Sequence, residues 1–144
     1  MRILNMSEAK DFILHPQLDR DSVWIADLDL SRVLLMNNAL FPWIILVPKR
    51  PEKSELIDLS SADQHQLLDE MAFVSHKMKA LFVPDKLNIA TLGNQVAQLH
   101  IHIIARFKTD AAWPNPVWGK GQEPYKQSIL DDLVERLKAS VISH

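Results

Sequence analysis

Gln98-Leu99-His100-Ile101-His102-Ile103-Ile104-Ala105-Arg106 alternates polar and aliphatic side chains as far as Ile103. An extended backbone sends successive side chains to opposite faces. Gln98, His100 and His102 therefore share one face, and Leu99, Ile101 and Ile103 share the other, where they can enter a core. The polar row sets a carboxamide and two imidazoles in line, their Cα atoms about 6–7 Å apart. We read a strand from Leu99 to Phe107. Its histidine face has three readings: a tolerated exposed face, half of a metal site, or the seat of a phosphate-directed nucleophile. Imidazole suits the last because it is neutral near pH 7, with a lone pair on one nitrogen while the other can be oriented. A metal site needs a third protein ligand, and no third histidine or carboxylate stands at a suggestive spacing.

Working outward, Leu87 to Leu92 reads as the preceding strand. Gly93-Asn94-Gln95-Val96-Ala97 connects the two. Upstream, Leu67, Met71, Val74, Met78 and Leu81 recur on one helical face. Ser60 or Ser61 can cap that helix, with Asp63 or Gln64 as capping partner; the spacing predicts a helix over 61–82. His65 and His76 fall on its opposite, solvent side. Three earlier strands are expected at Ser22–Asp27, Val33–Met36 and Trp43–Val47, the last apolar throughout and so buried on both faces. Ser128 to Val141 reads as a C-terminal helix presenting Ile129, Leu133, Leu137 and Val141. Residues 7 to 14 allow a short N-terminal helix. His15 and His144 carry no pattern. Short connections between consecutive strands favour antiparallel pairing. The expected class is α+β: a single antiparallel sheet of about five strands, with a long helix and a C-terminal helix packed on it.

The 144 residues suit one domain, 1–144. With 47% hydrophobic and 24% charged residues, the balance is that of an ordinary soluble chain. The absence of cysteine excludes disulfides, thiolate metal sites and cysteine nucleophiles, and suits a reducing, cytoplasmic setting. No apolar run is long enough for a membrane span, and the first residues do not read as a signal peptide. A net charge of −2 with scattered basic residues points away from a nucleic-acid partner and towards one small, locally held phosphate compound.

The pattern Gln98-φ-His100-φ-His102-φ-φ, φ being apolar, resembles the His-φ-His-φ-His-φ-φ strand of the histidine triad (HIT) superfamily. Trp43-Ile-Ile-Leu-Val-Pro-Lys-Arg-Pro51 resembles that family's apolar strand ending in Pro-Lys and a basic residue, and Leu56-Ile-Asp-Leu-Ser60 its approach to the long helix. The resemblance implies that His100 is the nucleophile, attacking an α-phosphorus to give a covalent nucleotidyl-histidine, and that His102 hydrogen-bonds the phosphate. Gln98 stands in place of the first triad histidine. A carboxamide donates and accepts as neutral imidazole does, but it does not titrate. Asn94 matches an amide that steadies the phosphate, or is a turn residue after Gly93. Asn37 resembles, across a two-residue gap, an asparagine that meets the ribose. Arg106, on the His100 face by parity, is placed to clamp phosphate or to lie in solvent. The implied protein is a homodimeric hydrolase or nucleotidyl transferase acting on nucleoside phosphoramidates, dinucleoside polyphosphates or similar nucleotides, without a metal or other cofactor. Phe73 and Phe82 add apolar surface that a dimer could cover. The alternatives are a nucleotide-binding module that has lost catalysis with the first histidine, and a metal-dependent hydrolase using His100 and His102. The Trp113–Trp118 segment, outside the general motif, either packs both rings in the core or covers the site.

Overall fold

Residues 22–36 fold back on themselves because two apolar runs flank the polar turn Asp27-Leu28-Asp29-Leu30-Ser31. In the computed structural model, which describes residues 12–142, they form strands β1 (Ser22–Asp27) and β2 (Ser31–Met36), paired antiparallel. The turn is closed by the Leu28 N–H donating to the Ser31 carbonyl at 2.8 Å. Glu70, buried in the long helix, accepts from the backbone N–H of Leu30 and Ser31 at 2.8 and 2.9 Å. The hairpin and the helix are thereby joined by a buried carboxylate whose oxygens are satisfied.

Strand β3 (Trp43–Pro48) follows, then helix α2 (Ser61–Phe82), strands β4 (Lys86–Ala90) and β5 (Ile101–Arg106), and helix α3 (Gln127–Ile142). A six-residue helix α1 (Pro16–Asp21) precedes β1. The sheet order is β1-β2-β3-β5-β4 and every neighbouring pair is antiparallel, as the α+β reading expects. β3 and β5 are buried along their whole length, which accounts for the continuous apolarity of β3.

Helix α2 occupies the expected residues. Ser60 Oγ accepts from the Asp63 N–H at 3.1 Å, and Leu67, Val74 and Met78 are buried. His65 and His76 are exposed. Arg50 forks onto the Asp63 carboxylate at 2.8 and 3.1 Å, tying the helix start to the chain leaving β3. Phe73 and Phe82 are partly buried and pack against the core beneath their own helix. In α3 the buried row is Leu130, Leu133, Leu137 and Val141, while Ile129 is 52% exposed. The stripe thus begins one residue later than expected, in an i, i+3, i+7, i+11 series that follows the helical period. Most of the helix expected over 7–14 lies outside the described residues; 12–14 are irregular, and His144 is also outside.

The two faces of the sheet have different neighbours. Ile44, Leu46, Leu99, Ile101, Ile103 and Ala105 share one cluster with the buried rows of α2 and α3. Trp43, Ile45, Val47 and Ile104 face the other way, against α1 and the loops carrying Val96, Ala112 and Val117. Both helices take the aliphatic face of β5. Loops therefore wall the histidine face, and a cavity can open there.

Candidate active site

β5 begins at Ile101, so His102 lies in the strand and His100 just ahead of it, both about 95% buried. Before His100 the chain leaves the sheet, and the Leu99 N–H donates to the Lys53 carbonyl at 2.8 Å. The two imidazoles meet edge-on, centroids 4.8 Å apart.

Their hydrogen bonds fix opposite tautomers. His100 Nδ1 lies 2.6 Å from the Gln98 carbonyl oxygen. A carbonyl only accepts, so Nδ1 carries the proton and Nε2 keeps its lone pair. His102 Nδ1 lies 3.0 Å from Trp43 Nε1. An indole N–H only donates, so Nδ1 accepts and the neutral ring presents an N–H at Nε2. The register that pairs Ile45 with His102 and Trp43 with Ile104 makes this diagonal contact. Burial, with help from His100, lowers the His102 pKa to about 4. Burial also lowers that of His100, against the Gln98 carbonyl, which favours its charged form; His15 adds to the lowering. Both rings are therefore neutral at pH 7, one an electron-pair donor and the other a proton donor.

They open on a cavity of about 610 Å³. Gln17 and Asp21 reach it from α1, Asn38 from the chain after β2, Asn94 and Gln95 from the β4–β5 connection, and Trp118 from the loop before α3. Trp118 stands edge-on to His102 and Trp43, centroids 5.1 and 5.7 Å away, and remains 37% exposed. No lysine or arginine is among the described lining residues. Among the described residues no three His, Cys, Asp or Glu side chains converge on a possible metal position, and no helix is long and apolar enough to cross a membrane.

Residues 17–109 match the family model described as HIT domain. The chain belongs to the histidine triad family. It is similar to a histidine triad protein from Bradyrhizobium japonicum, with 44% identity, 91% of this chain and 98% of that one covered, and a TM-score of 0.88. A histidine triad protein from Marinobacter aquaeolei has 40% identity, 90% and 96% coverage and the same TM-score, 0.88. Plasmodium falciparum diadenosine triphosphate hydrolase shares the fold, at 20% identity, 90% and 82% coverage and a TM-score of 0.65. Among curated proteins none matches.

Of the residues singled out from the histidine triad resemblance, His100, His102 and Asn94 line the cavity, whereas Gln98, Asn37 and Arg106 do not. The Gln98 side chain turns to the backbone of residues 13–15. Asn37 Oδ1 accepts from the Tyr125 N–H at 2.9 Å and anchors the chain entering α3; its neighbour Asn38 is the one that lines the site. Asn38 Oδ1 accepts from the Leu40 and Glu123 N–H groups, so the group it can offer a ligand is its NH2. Arg106 does share the His102 face, but its guanidinium is taken up by Asp110 at 2.8 and 3.1 Å, Asn88 at 2.7 Å and the Asn115 carbonyl at 2.8 Å. It is a buried structural cation, with the rings of Phe41 and Trp113 about it. The two loop tryptophans thus divide, Trp113 to the Arg106 cluster and Trp118 to the site. Trp118 takes the covering role that the sequence reading left open for its segment, while Trp43 as a site residue and α1 escaped that reading. An indole at the start of an apolar strand reads as core, and nothing local to Gln17 or Asp21 distinguishes them from solvated helix residues.

Proposed function

We propose that the protein is a nucleotide-phosphate hydrolase or nucleotidyl transferase working through a covalent nucleotidyl-histidine on His100. The observation that carries this reading is the Nδ1–H bond from His100 to the Gln98 carbonyl, which leaves a neutral, oriented Nε2 lone pair at a buried cavity wall. In the first step Nε2 attacks the α-phosphorus. An N–P bond forms and the bond to the leaving group breaks, its electron pair departing with that group. Water or another acceptor then attacks phosphorus, the N–P pair returns to Nε2, and the acceptor's proton goes to solution. The His102 Nε2–H and the amides of Asn94 and Asn38 are donors for the phosphoryl oxygens. Histidine triad membership and the fold shared with a diadenosine triphosphate hydrolase favour a nucleotide ligand.

The closing of the Gln98 side chain onto the backbone favours a second reading, a nucleotide-binding module without turnover. One experiment separates the two. The protein is mixed with a nucleoside phosphoramidate, a dinucleoside polyphosphate or a nucleotide sugar, quenched, and its intact mass measured. A nucleotidyl adduct that disappears in His100→Ala is expected. Turnover of wild-type size in His100→Ala would sink the nucleophile assignment, and binding without adduct would leave the module. Retained turnover in strong chelator separates either from a metal-dependent hydrolase. The same reading carries a cytoplasmic location, suited by a chain without cysteine, and the two-fold homodimer common in the family.

A further inference from the structure

Gln98 occupies the position of a triad histidine, yet its side chain does something a histidine cannot. Its Nε2 donates to the Ile13 carbonyl at 2.8 Å, and its Oε1 accepts from the His15 N–H at 2.8 Å. A carboxamide carries donor and acceptor side by side at one end, matching the C=O and N–H that alternate residues of an extended chain present on one edge. The two nitrogens of imidazole point apart and cannot make that pair. We propose that Gln98 is a latch: it docks residues 13–15 beside His100 and so holds the His15 ring and the helix it caps against the site.

Three further observations fit. His15 is half-buried and is the N-cap of α1, its Nδ1 accepting from the Gln17 N–H at 3.1 Å ahead of Pro16. Its neutral form therefore keeps a proton on Nε2. The helix it caps supplies Gln17, Leu18 and Asp21 to the cavity wall, so the latch holds one side of the site in place. His15 also acts electrostatically on His100, behind the larger effects of burial and of the Gln98 carbonyl. Among the described residues, the groups around His100 that carry or can take charge are His15 from the α1 cap, Asp21 from α1 and His102 from β5. β3 brings Trp43, the β4–β5 connection Asn94 and Gln95, and the loop before α3 Trp118 and Gln122, none of which titrates. Gln98 and His15 are thus positioning residues, acting through His100 and through the wall.

The inference concerns the site of the proposed function, but its test needs no turnover. NMR titration of the histidine rings in the whole protein gives the His100 midpoint directly. In the wild type it should lie below the ordinary imidazole value of 6.5. His15→Asn keeps a good helix cap and removes the ring, so the midpoint should rise. Gln98→Ala undocks the segment, and the midpoint should rise there also. Exposed His65 is the control, and His65→Asn should leave it unmoved. An unmoved His100 midpoint in His15→Asn overturns the role of His15, the asparagine keeping the helix cap in place. An unmoved midpoint in Gln98→Ala overturns the latch. Where the enzyme turns over, Gln98→His should raise KM rather than kcat, because an imidazole at 98 breaks the latch; a higher kcat at unchanged KM would contradict it. A wild type with no adduct but with both midpoint shifts would retain the latch and lose the enzyme.

Discussion

At the scale of single residues, the His102 ring makes the site's acid sensitivity calculable. Its folded-state pKa of about 4 lies below the ordinary 6.5. Between those values the unfolded chain binds a proton that the native protein excludes, so stability falls as pH drops through that window. Above 6.5 this group contributes no slope. At about 1.4 kcal/mol per unit the loss is on the order of 3 kcal/mol. Urea unfolding at pH 7 and pH 4.5 measures it. His102→Gln, which can still accept from the Trp43 indole, should flatten the slope. In the proposed reaction the same residue would be a donor, and His102→Ala should slow turnover by about 10²–10³-fold. Under the proposed mechanism only the neutral His100 ring attacks, so its lowered pKa should set the acid limb of kcat/KM below pH 6.5. Asp110 shows the opposite balance. Burial raises its pKa, but Arg106 and the N–H groups of Phe107, Ala112 and Trp113 outweigh that and hold the carboxyl far below the usual range. Asp110→Ala leaves Arg106 buried with an uncompensated charge and should cost about 3–5 kcal/mol, read as a lowered midpoint of thermal unfolding.

At the scale of elements, sequence legibility followed the range of the forces involved. Helix α2 is set by a cap three residues from its partner and by an unbroken apolar period, both local, and its limits were read as observed. β5 was read two residues too long at its start because alternation continues through Leu99 and His100 although the ladder does not; the Leu99 N–H has gone to Lys53, far away in sequence. Arg106 reads as a phosphate clamp or a solvated charge, since Asn88 and the Asn115 carbonyl, which help Asp110 to bury it, sit on other segments. One local feature carries strain. Val83 ends α2 at φ 50°, a left-handed conformation poor for a β-branched residue, and its side chain is 78% exposed. Val83→Gly relieves about 1–2 kcal/mol of that strain and gives back about 0.5–1 kcal/mol in chain entropy. A net gain of roughly 0.5–1 kcal/mol in chemical denaturation is expected. β4 lies at one end of the sheet, and Ile89 on it is 45% exposed. A two-fold pairing across that edge would cover both. Light scattering should then give twice 16.5 kDa, and Asn88→Pro, which breaks a strand, should reduce it to the single-chain mass.

At the scale of the whole molecule, the site is a meeting of segments far apart in the chain. His100 and His102 could be read from one alternating strand, but the Trp43 that orients His102 lies 59 residues away and the latch on His15 spans 83. No periodicity reports such contacts, which is why Gln98 reads as a defective triad member until its partners are seen. The composition of the cavity wall has a consequence of its own. Among the described residues its lining has a single carboxylate, Asp21, and no fixed cation. Under the proposed function a phosphate bound there would be held by N–H dipoles rather than by ion pairs. Ionic strength should therefore hardly matter: between about 50 mM and about 500 mM sodium chloride, KM should change by less than about twofold. A tenfold weakening over that range would mean that ion pairs from outside the cavity hold the ligand. A salt-indifferent grip would let the protein keep its affinity through osmotic stress.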